Sequence, residues 1–344
     1  MQLTGADGKT TLPTLGLEYT ALELEASPIT MTQAPGISPA EPDAALVDLD
    51  GDSLPDLLIG EAGSYRSYLN QDGQSWREAS VWSAADSPSL SLSSVGVQLA
   101  DLDGDGAVDL VAKSGTSSFR YLPSVDGTHF GAAKSLATVP SFSFEDPEVR
   151  LADLDGDRRT DVVLTAPTGL YVSYNRGGTD WTEPALVGEV DPAQPLSFSD
   201  GHTELCDLNG DGVQDLCYLR SEGLTYWLGR GRGVFEPAAE CQGVPAYNPT
   251  EPYKLVDLDG NGWPDLVRVG VSNVFVAMAT ALGEFGPVQT VAVPSHGPDA
   301  TVQFQDMNAS GTTDLLWVDV TGSATEAWKY LELFPKGRGG LLRR

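Results

Sequence analysis

Short apolar runs recur along the chain from Ala44 onward, each closed by a cluster of turn-forming residues. In the first unit they fall near Ala45–Val47, Asp56–Ile59, Tyr65–Leu69 and Trp76–Trp82. Runs this short, bounded by Gly, Asn and Asp, predict strands rather than helices. Each unit reads strand, acidic loop, strand, turn, strand, turn, strand. The last turn carries glycine at Gly73, Gly127, Gly177 with Gly178, Gly231 with Gly233, and Gly283, as hairpins favour. An aromatic residue follows each of these turns. Trp76, Phe130, Trp181, Phe235 and Phe285 stand 28, 29, 28, 28 and 28 residues after the first Asp of the acidic loop. A large ring at one fixed point per unit predicts packing of one sheet against its neighbour.

The acidic loops begin at Asp48, Asp101, Asp153, Asp207, Asp257 and Asp306, in steps of 53, 52, 54, 50 and 49 residues. A period near 50 marks a repeat architecture. Six four-stranded units predict an all-β fold, a six-bladed β-propeller. In the sixth unit Leu315–Val318 and Trp328–Leu333 follow the loop, and no fourth strand with its aromatic is legible. The N-terminal run Leu17–Glu25, with Tyr19 near its start, alternates like a strand. It is expected to complete the last blade and leave no open sheet edge. The expected organisation is a lead-in, closing strand and Pro-rich linker over 1–43, the propeller over 44–335, and a basic tail or linker over 336–344.

Each loop places oxygen-bearing side chains at positions one, three, five and nine. The candidate ligands are Asp48, Asp50, Asp52 and Asp56; Asp101, Asp103, Asp105 and Asp109; Asp153, Asp155, Asp157 and Asp161. Loops four to six supply Asp207, Asn209, Asp211 and Asp215; Asp257, Asp259, Asn261 and Asp265; and Asp306, Asn308, Ser310 and Asp314. Ca²⁺ takes roughly six to eight oxygen ligands in tolerant geometry, so Ca²⁺ is the expected ion. The spacing resembles an EF-hand, without its Glu at position twelve and without flanking helical patterns. The apolar residue at position two, such as Leu102, is expected to point inward and anchor the loop. Charge count tunes affinity, so loop six is expected to fill last or stay empty. Arg158 and Arg159 are expected to weaken the field in loop three. The ions' expected role is to staple the blades.

The chain has 344 residues and a net charge of −29. Six Ca²⁺ would bring that to −17, so the acidity is partly a metal-site signature. The remainder argues against nucleic acid and anionic membrane surfaces as partners. No apolar run approaches the length of a membrane-spanning helix. Met1 to Pro13 has neither the basic nor the apolar region of a signal peptide. The expectation is a secreted or cell-surface protein, exported by another route or as a piece of a larger exported bacterial protein. Cys206, Cys217 and Cys241 form no disulfide framework; Cys206 and Cys217 flank loop four and are expected to be buried free thiols. His129, His202 and His296 fall in no nucleophile or zinc motif, so an enzyme is not expected.

The DxDGDxxxDL loops and the pairs Phe130-Gly131 and Phe285-Gly286 resemble FG-GAP or VCBS repeats, as in integrin α-subunit propellers and many bacterial surface proteins. A narrower resemblance rests on two stretches and the entry to the repeats. Asp207-Leu208-Asn209-Gly210-Asp211-Gly212 through Leu216, followed by Tyr226-Trp227-Leu228-Gly229 through Phe235, is similar to the middle region of toxin-complex (Tc) B components and SpvB-like, Rhs-associated proteins. Asp306 through Leu315, followed by Trp328-Lys329-Tyr330-Leu331, is similar to the same region, and Leu12-Pro13 through Tyr19 resembles its approach to the propeller. The resemblance covers about residue 12 to 344. It implies a propeller that docks onto a pore-forming translocation component and gates a shell of YD repeats holding a toxic segment. No YD repeats are visible, so that role needs sequence beyond Arg344. The partner expected is therefore a protein. An adhesion or lectin-like propeller binding a surface receptor or glycan is the alternative.

Overall fold

The computed structural model describes residues 22, 27–77, 80–83, 88–113, 118–125, 127–136, 142–189, 196–220, 223–245, 253–293, 300–321 and 327–335. The described residues form six four-stranded antiparallel sheets, the blades of a six-bladed β-propeller. Blade one is Ala44–Val47, Asp56–Glu61, Ser64–Tyr68 and Ser80–Val81. Blade two is Val97–Ala100, Asp109–Lys113, Phe119–Leu122 and Lys134–Ser135. Blade three is Val149–Ala152, Asp161–Ala166, Gly169–Ser173 and Ala185–Glu189. Blade four is Thr203–Cys206, Asp215–Arg220, Gly223–Trp227 and Ala239–Glu240. Blade five is Lys254–Val256, Asp265–Val269, Asn273–Ala277 and Gln289–Ala292. Second strands lie inside their sheets and between neighbouring blades, so both faces are covered. Their apolar runs are accordingly continuous, with Leu57, Leu58, Val111, Val163, Val267 and Leu316 fully buried.

Blade six joins the two ends of the described chain. Thr301–Gln305, Asp314–Val318 and Trp328–Leu331 are completed by Ile29–Thr30 as the outermost strand. The closing strand is therefore Ile29–Thr30, inside the stretch read from sequence as a linker. The expected strand Leu17–Glu25 lies outside the described residues except for Leu22, which packs against the core between blades five and six. Two residues are too few to show a period. What fixes them is the fully buried Met31, packed with Trp76, Trp328 and Tyr330. The Met31 N–H donates to the Trp328 carbonyl at 3.1 Å, and the Trp328 indole N–H donates to the Pro35 carbonyl at 2.9 Å. The Thr32 N–H donates to Gln74 and its carbonyl accepts from the Trp76 N–H, both at 3.0 Å, which ties the closing segment to blade one.

The repeated aromatics pack each blade onto the one before it. Trp76 lies with blade-six residues, Phe130 with blade one, Trp181 with blade two, Phe235 with blade three and Phe285 with blade four. In blade six the same packing role falls to Phe334, not recognised from sequence, 28 residues after Asp306 but only three past Leu331, where Trp76 stands eight past the equivalent Tyr68. Phe334 packs against Leu258, Val267 and Val274 of blade five. The run Trp76–Trp82 is two elements rather than one. Ser75–Trp76 closes a small hairpin with Asn70–Gln71, and Ser80–Val81 then forms the outer strand.

Between blades three and four, the Glu148 carboxylate accepts from the hydroxyls of Ser199, Thr165 and Ser197 and from the Phe198 N–H. Burial alone would raise its pKa; these donors outweigh burial and hold it at about 2. A depressed carboxyl stabilises the fold above its unfolded value, and that stabilisation disappears as pH falls through the folded value. Glu148→Gln is expected to lower the melting temperature at pH 7. The gap to the parent protein should close as pH falls from about 4.5 to about 2. Melting scans across that range check this; a gap independent of pH would contradict it.

Candidate metal centres in the acidic loops

Each acidic loop is a hairpin connection held in one register. The residue before it pairs with its last Asp: Val47 with Asp56, Ala100 with Asp109, Ala152 with Asp161, Cys206 with Asp215, Val256 with Asp265 and Gln305 with Asp314. The position-one carboxylate accepts from the position-six N–H in all six copies, at 2.7–2.9 Å. The position-nine carboxylate accepts from the position-two N–H at 2.8–3.2 Å. Position two is buried in every loop, at Leu49, Leu102, Leu154, Leu208, Leu258 and Met307. Position four adopts left-handed backbone and is Gly in five loops; in loop six it is Ala309, at φ 52°. That conformation crowds a Cβ, so Ala309→Gly should stabilise the protein by about 1 kcal/mol, as a urea titration would show.

Positions one, three and nine converge. Asp48, Asp50 and Asp56 each offer one oxygen, all within 4.8 Å of one another, and so do Asp101, Asp103 and Asp109; Asp153, Asp155 and Asp161; and Asp257, Asp259 and Asp265. Position five lies outside these groups. Asp52, Asp105, Asp157, Asp211, Asn261 and Ser310 instead accept from the position-seven N–H. Asp207, Asn209 and Asp215 of loop four form no such carboxylate triad, because position three is an amide whose Nδ2 donates to Asp211. Loop six has Asn308 there. Lys134 Nζ lies 3.5 Å from Asp103 in loop two, and Arg159 pairs with Asp157 in loop three. These are internal cations that a bound ion has to compete with.

Burial shapes the electrostatics. It pushes the position-nine carboxyls of Asp56, Asp109, Asp161 and Asp265 up to about 7, Asp215 to about 6 and Asp314 to about 8. Burial, reinforced by neighbouring loop carboxylates, also raises Asp50 and Asp155. Asp103 and Asp155 each keep a buried Oδ1 with no hydrogen-bond partner. Crowded, partly desolvated carboxylates with unspent acceptor oxygens suit a hard divalent cation with oxygen ligands, and the donor set fits Ca²⁺.

The next blade holds five of these loops by a side-chain hydrogen bond to a loop carbonyl. Asn70 Nδ2 donates to the Met307 carbonyl of loop six at 2.9 Å, Ser124 Oγ to the Leu49 carbonyl of loop one at 3.1 Å, and Asn175 Nδ2 to the Leu102 carbonyl of loop two at 2.9 Å. Loop three's neighbour is Gly231, whose added Cβ would lie 3.7 Å from the Asp155 carbonyl oxygen. Trp263 Nε1 donates to the Asn209 carbonyl of loop four at 2.9 Å, and Thr313 Oγ1 to the Asp257 carbonyl of loop five at 2.6 Å. Sequence reading missed these partners. A usable signal was present, since Asn70 and Asn175 both stand 14 residues after a position-nine Asp.

Other candidate groups lie apart from the loops. His202 Nδ1 contacts the Leu219 carbonyl at 2.7 Å and His129 Nδ1 contacts Thr128 Oγ1 at 3.1 Å, while His296 lies outside the described residues. Cys206, Cys217 and Cys241 are free thiols, with Cys206 Sγ and Cys217 Sγ 3.1 Å apart. A cavity of about 470 Å³ between the first strands of blades three and four is lined by Arg150, Phe198, Thr203 and Glu204 among others. Among the described residues no helix is long and apolar enough to cross a membrane.

The model of the FG-GAP-like repeat matches residues 48–112 and 207–267. A Photorhabdus luminescens Tc holotoxin pore structure matches 95% of this chain at 23% identity and a TM-score of 0.74. A TcdB2-TccC3-Cdc42 crystal structure matches 96% at 22% identity and 0.56. This chain spans 16% of the length of each of those chains. An Agrocybe aegerita lectin, described as recognising non-reducing terminal N-acetylglucosamine, matches 80% of this chain at 20% identity and 0.57, and 73% of the lectin is covered. Strand order and loop register make the chain a six-bladed β-propeller, with FG-GAP-like repeats matched over residues 48–112 and 207–267.

Proposed function

We propose that this propeller is a calcium-stabilised docking module that engages a protein partner, in the manner of the propeller of a toxin-complex or Rhs-associated assembly. The observation that carries the reading is the coupling of the acidic loops to neighbouring blades. An ion held by Asp101, Asp103 and Asp109 rigidifies a loop on which Asn175 of blade three also rests. Repeated around the ring, this makes one rigid surface out of several blades. Rigidity favours docking because less ordering cost falls on the binding step. Ca²⁺ would be held by the carboxylates of loops one, two, three and five first, with loop four contributing three Asp and an Asn. It would supply charge neutralisation and no chemistry, and the module is not an enzyme. The fold match to the Tc holotoxin over nearly the whole chain supports the toxin-complex comparison, and with it a secreted or cell-surface setting.

The test is equilibrium binding of this chain to the pore of a Photorhabdus luminescens Tc holotoxin, in millimolar Ca²⁺ and in chelator. Saturable binding in Ca²⁺ that is lost in chelator supports the reading; no binding in either condition contradicts it. A lectin-like reading is favoured by the Agrocybe match alone. A glycan array that includes terminal N-acetylglucosamine decides it, and specific retention there would replace the protein partner with a glycan.

A further inference from the structure

In five blades the position-nine Asp is fully capped. Its Oδ2 accepts from the loop, and its Oδ1 accepts from a backbone N–H just past the third strand. Those donors are Asn70, Ser124, Asn175, Gly229 and Ala279, at 2.8, 3.1, 2.7, 2.6 and 2.7 Å. Blade six breaks the pattern. Asp314 is fully buried and its Oδ1 has no partner. Leu315 pairs with Leu331 where Leu57 pairs with Tyr68 in blade one, so Leu333 is the equivalent of Asn70. The chain leaves the sheet after Leu331, and the expected N–H is not delivered.

The residue before that donor changes as well. Leu69, Pro123, Tyr174, Leu228 and Met278 occupy this place in blades one to five; in blade six it is Glu332. A carboxylate therefore stands where five blades put an apolar side chain. Glu332 Oε1 accepts from Asn308 Nδ2, the position-three side chain of loop six. A buried acceptor with an unused lone pair, beside a second carboxylate and an amide oxygen, is an arrangement that suits a cation.

We propose that loop six is a divalent-cation site completed from outside the repeat by Glu332, with Asp306, Asn308, Asp314 and Glu332 as its ligands. The inference rests on the calcium reading above. It removes the basis of the sequence-based expectation that loop six fills last, because Glu332 restores one of the two negative charges that Asn308 and Ser310 remove and brings the count level with loops four and five. Asp306, Asp314 and Glu332 are less tightly drawn together than the triads of loops one, two, three and five. Binding includes a turn of the Glu332 side chain from the Asn308 amide nitrogen onto the ion. The site lies under the hairpin of blade one, whose Asn70 holds the Met307 carbonyl. An ion here therefore acts at the seam where the ring closes.

The test compares the parent protein with Glu332→Gln, using Ca²⁺ alone as ligand. In chelator the variant should melt no lower than the parent, because repulsion from Asp314 is gone. In millimolar Ca²⁺ its upward shift should be smaller. Calorimetric titration should show one site lost or weakened on the order of tenfold or more. Identical Ca²⁺ titrations and identical shifts overturn this inference and leave calcium at the other loops standing. A variant that melts below the parent in chelator assigns Glu332 a structural bond to Asn308 and also overturns it. A parent protein that takes up no Ca²⁺ overturns both this site and the calcium reading.

Discussion

In millimolar Ca²⁺ the protein is expected to melt roughly 10–20 °C above its chelator-treated state, reversibly. An ion that binds only the folded chain stabilises it by about 2.7 kcal/mol per independent site at a hundredfold excess over its dissociation constant. Four loops already gather three carboxylate oxygens each. Without cations those oxygens repel one another in partly desolvated surroundings, which is the cost the ion removes. The backbone hydrogen bonds of positions one, five and nine hold each loop's shape in the meantime, so the metal-free protein is expected to stay folded but less stable. Asp155→Asn separates the two contributions. Asp155 Oδ1 makes no hydrogen bond within the protein, so its replacement should raise stability in chelator and reduce the gain from Ca²⁺. Differential scanning calorimetry with and without chelator measures both changes.

Deleting residues 1–33 should have an effect of similar size in the opposite direction. It removes the strand Ile29–Thr30 and the Met31 side chain, leaving Trp328 and Tyr330 at an open edge of blade six. An open edge with exposed apolar side chains favours pairing with another chain, so the truncated protein should aggregate or melt at least about 10 °C lower. The point substitution Met31→Ala isolates the packing part. Loss of a fully buried Met is expected to cost about 2–5 kcal/mol, read from a denaturant titration. A truncated protein that stays monomeric and melts like the full chain would contradict the closure described here.

Much of this architecture was legible because each unit repeats the same physical demands. Loop spacing marked the first-to-second strand connection, and the ring at a constant distance marked the contact with the preceding blade. Phe334 was missed although it keeps that distance, because among the described residues of blade six no small hairpin stands between the third strand and the aromatic. The closing strand was placed at Leu17–Glu25 because alternation there is visible, whereas Ile29–Thr30 carries no period. Its position is set by Met31 packing with Trp76, Trp328 and Tyr330, and no local pattern records that. In the loops, composition marked every candidate ligand but not the division of labour. Position five has the same Asp as positions one and three, yet it is two residues from a backbone N–H that it caps. Glu332 was invisible as a ligand because it stands outside the loop, and only strand register aligns it with Leu69 and Met278.

Calorimetric titration of chelator-stripped protein with Ca²⁺ at neutral pH tests most directly whether the acidic loops are working ion sites. Saturable uptake of several equivalents is predicted, with one equivalent weakened or lost in Asp155→Asn and the remainder unchanged. No saturable uptake, or an Asp155→Asn titration that superimposes on the parent's, would contradict the account.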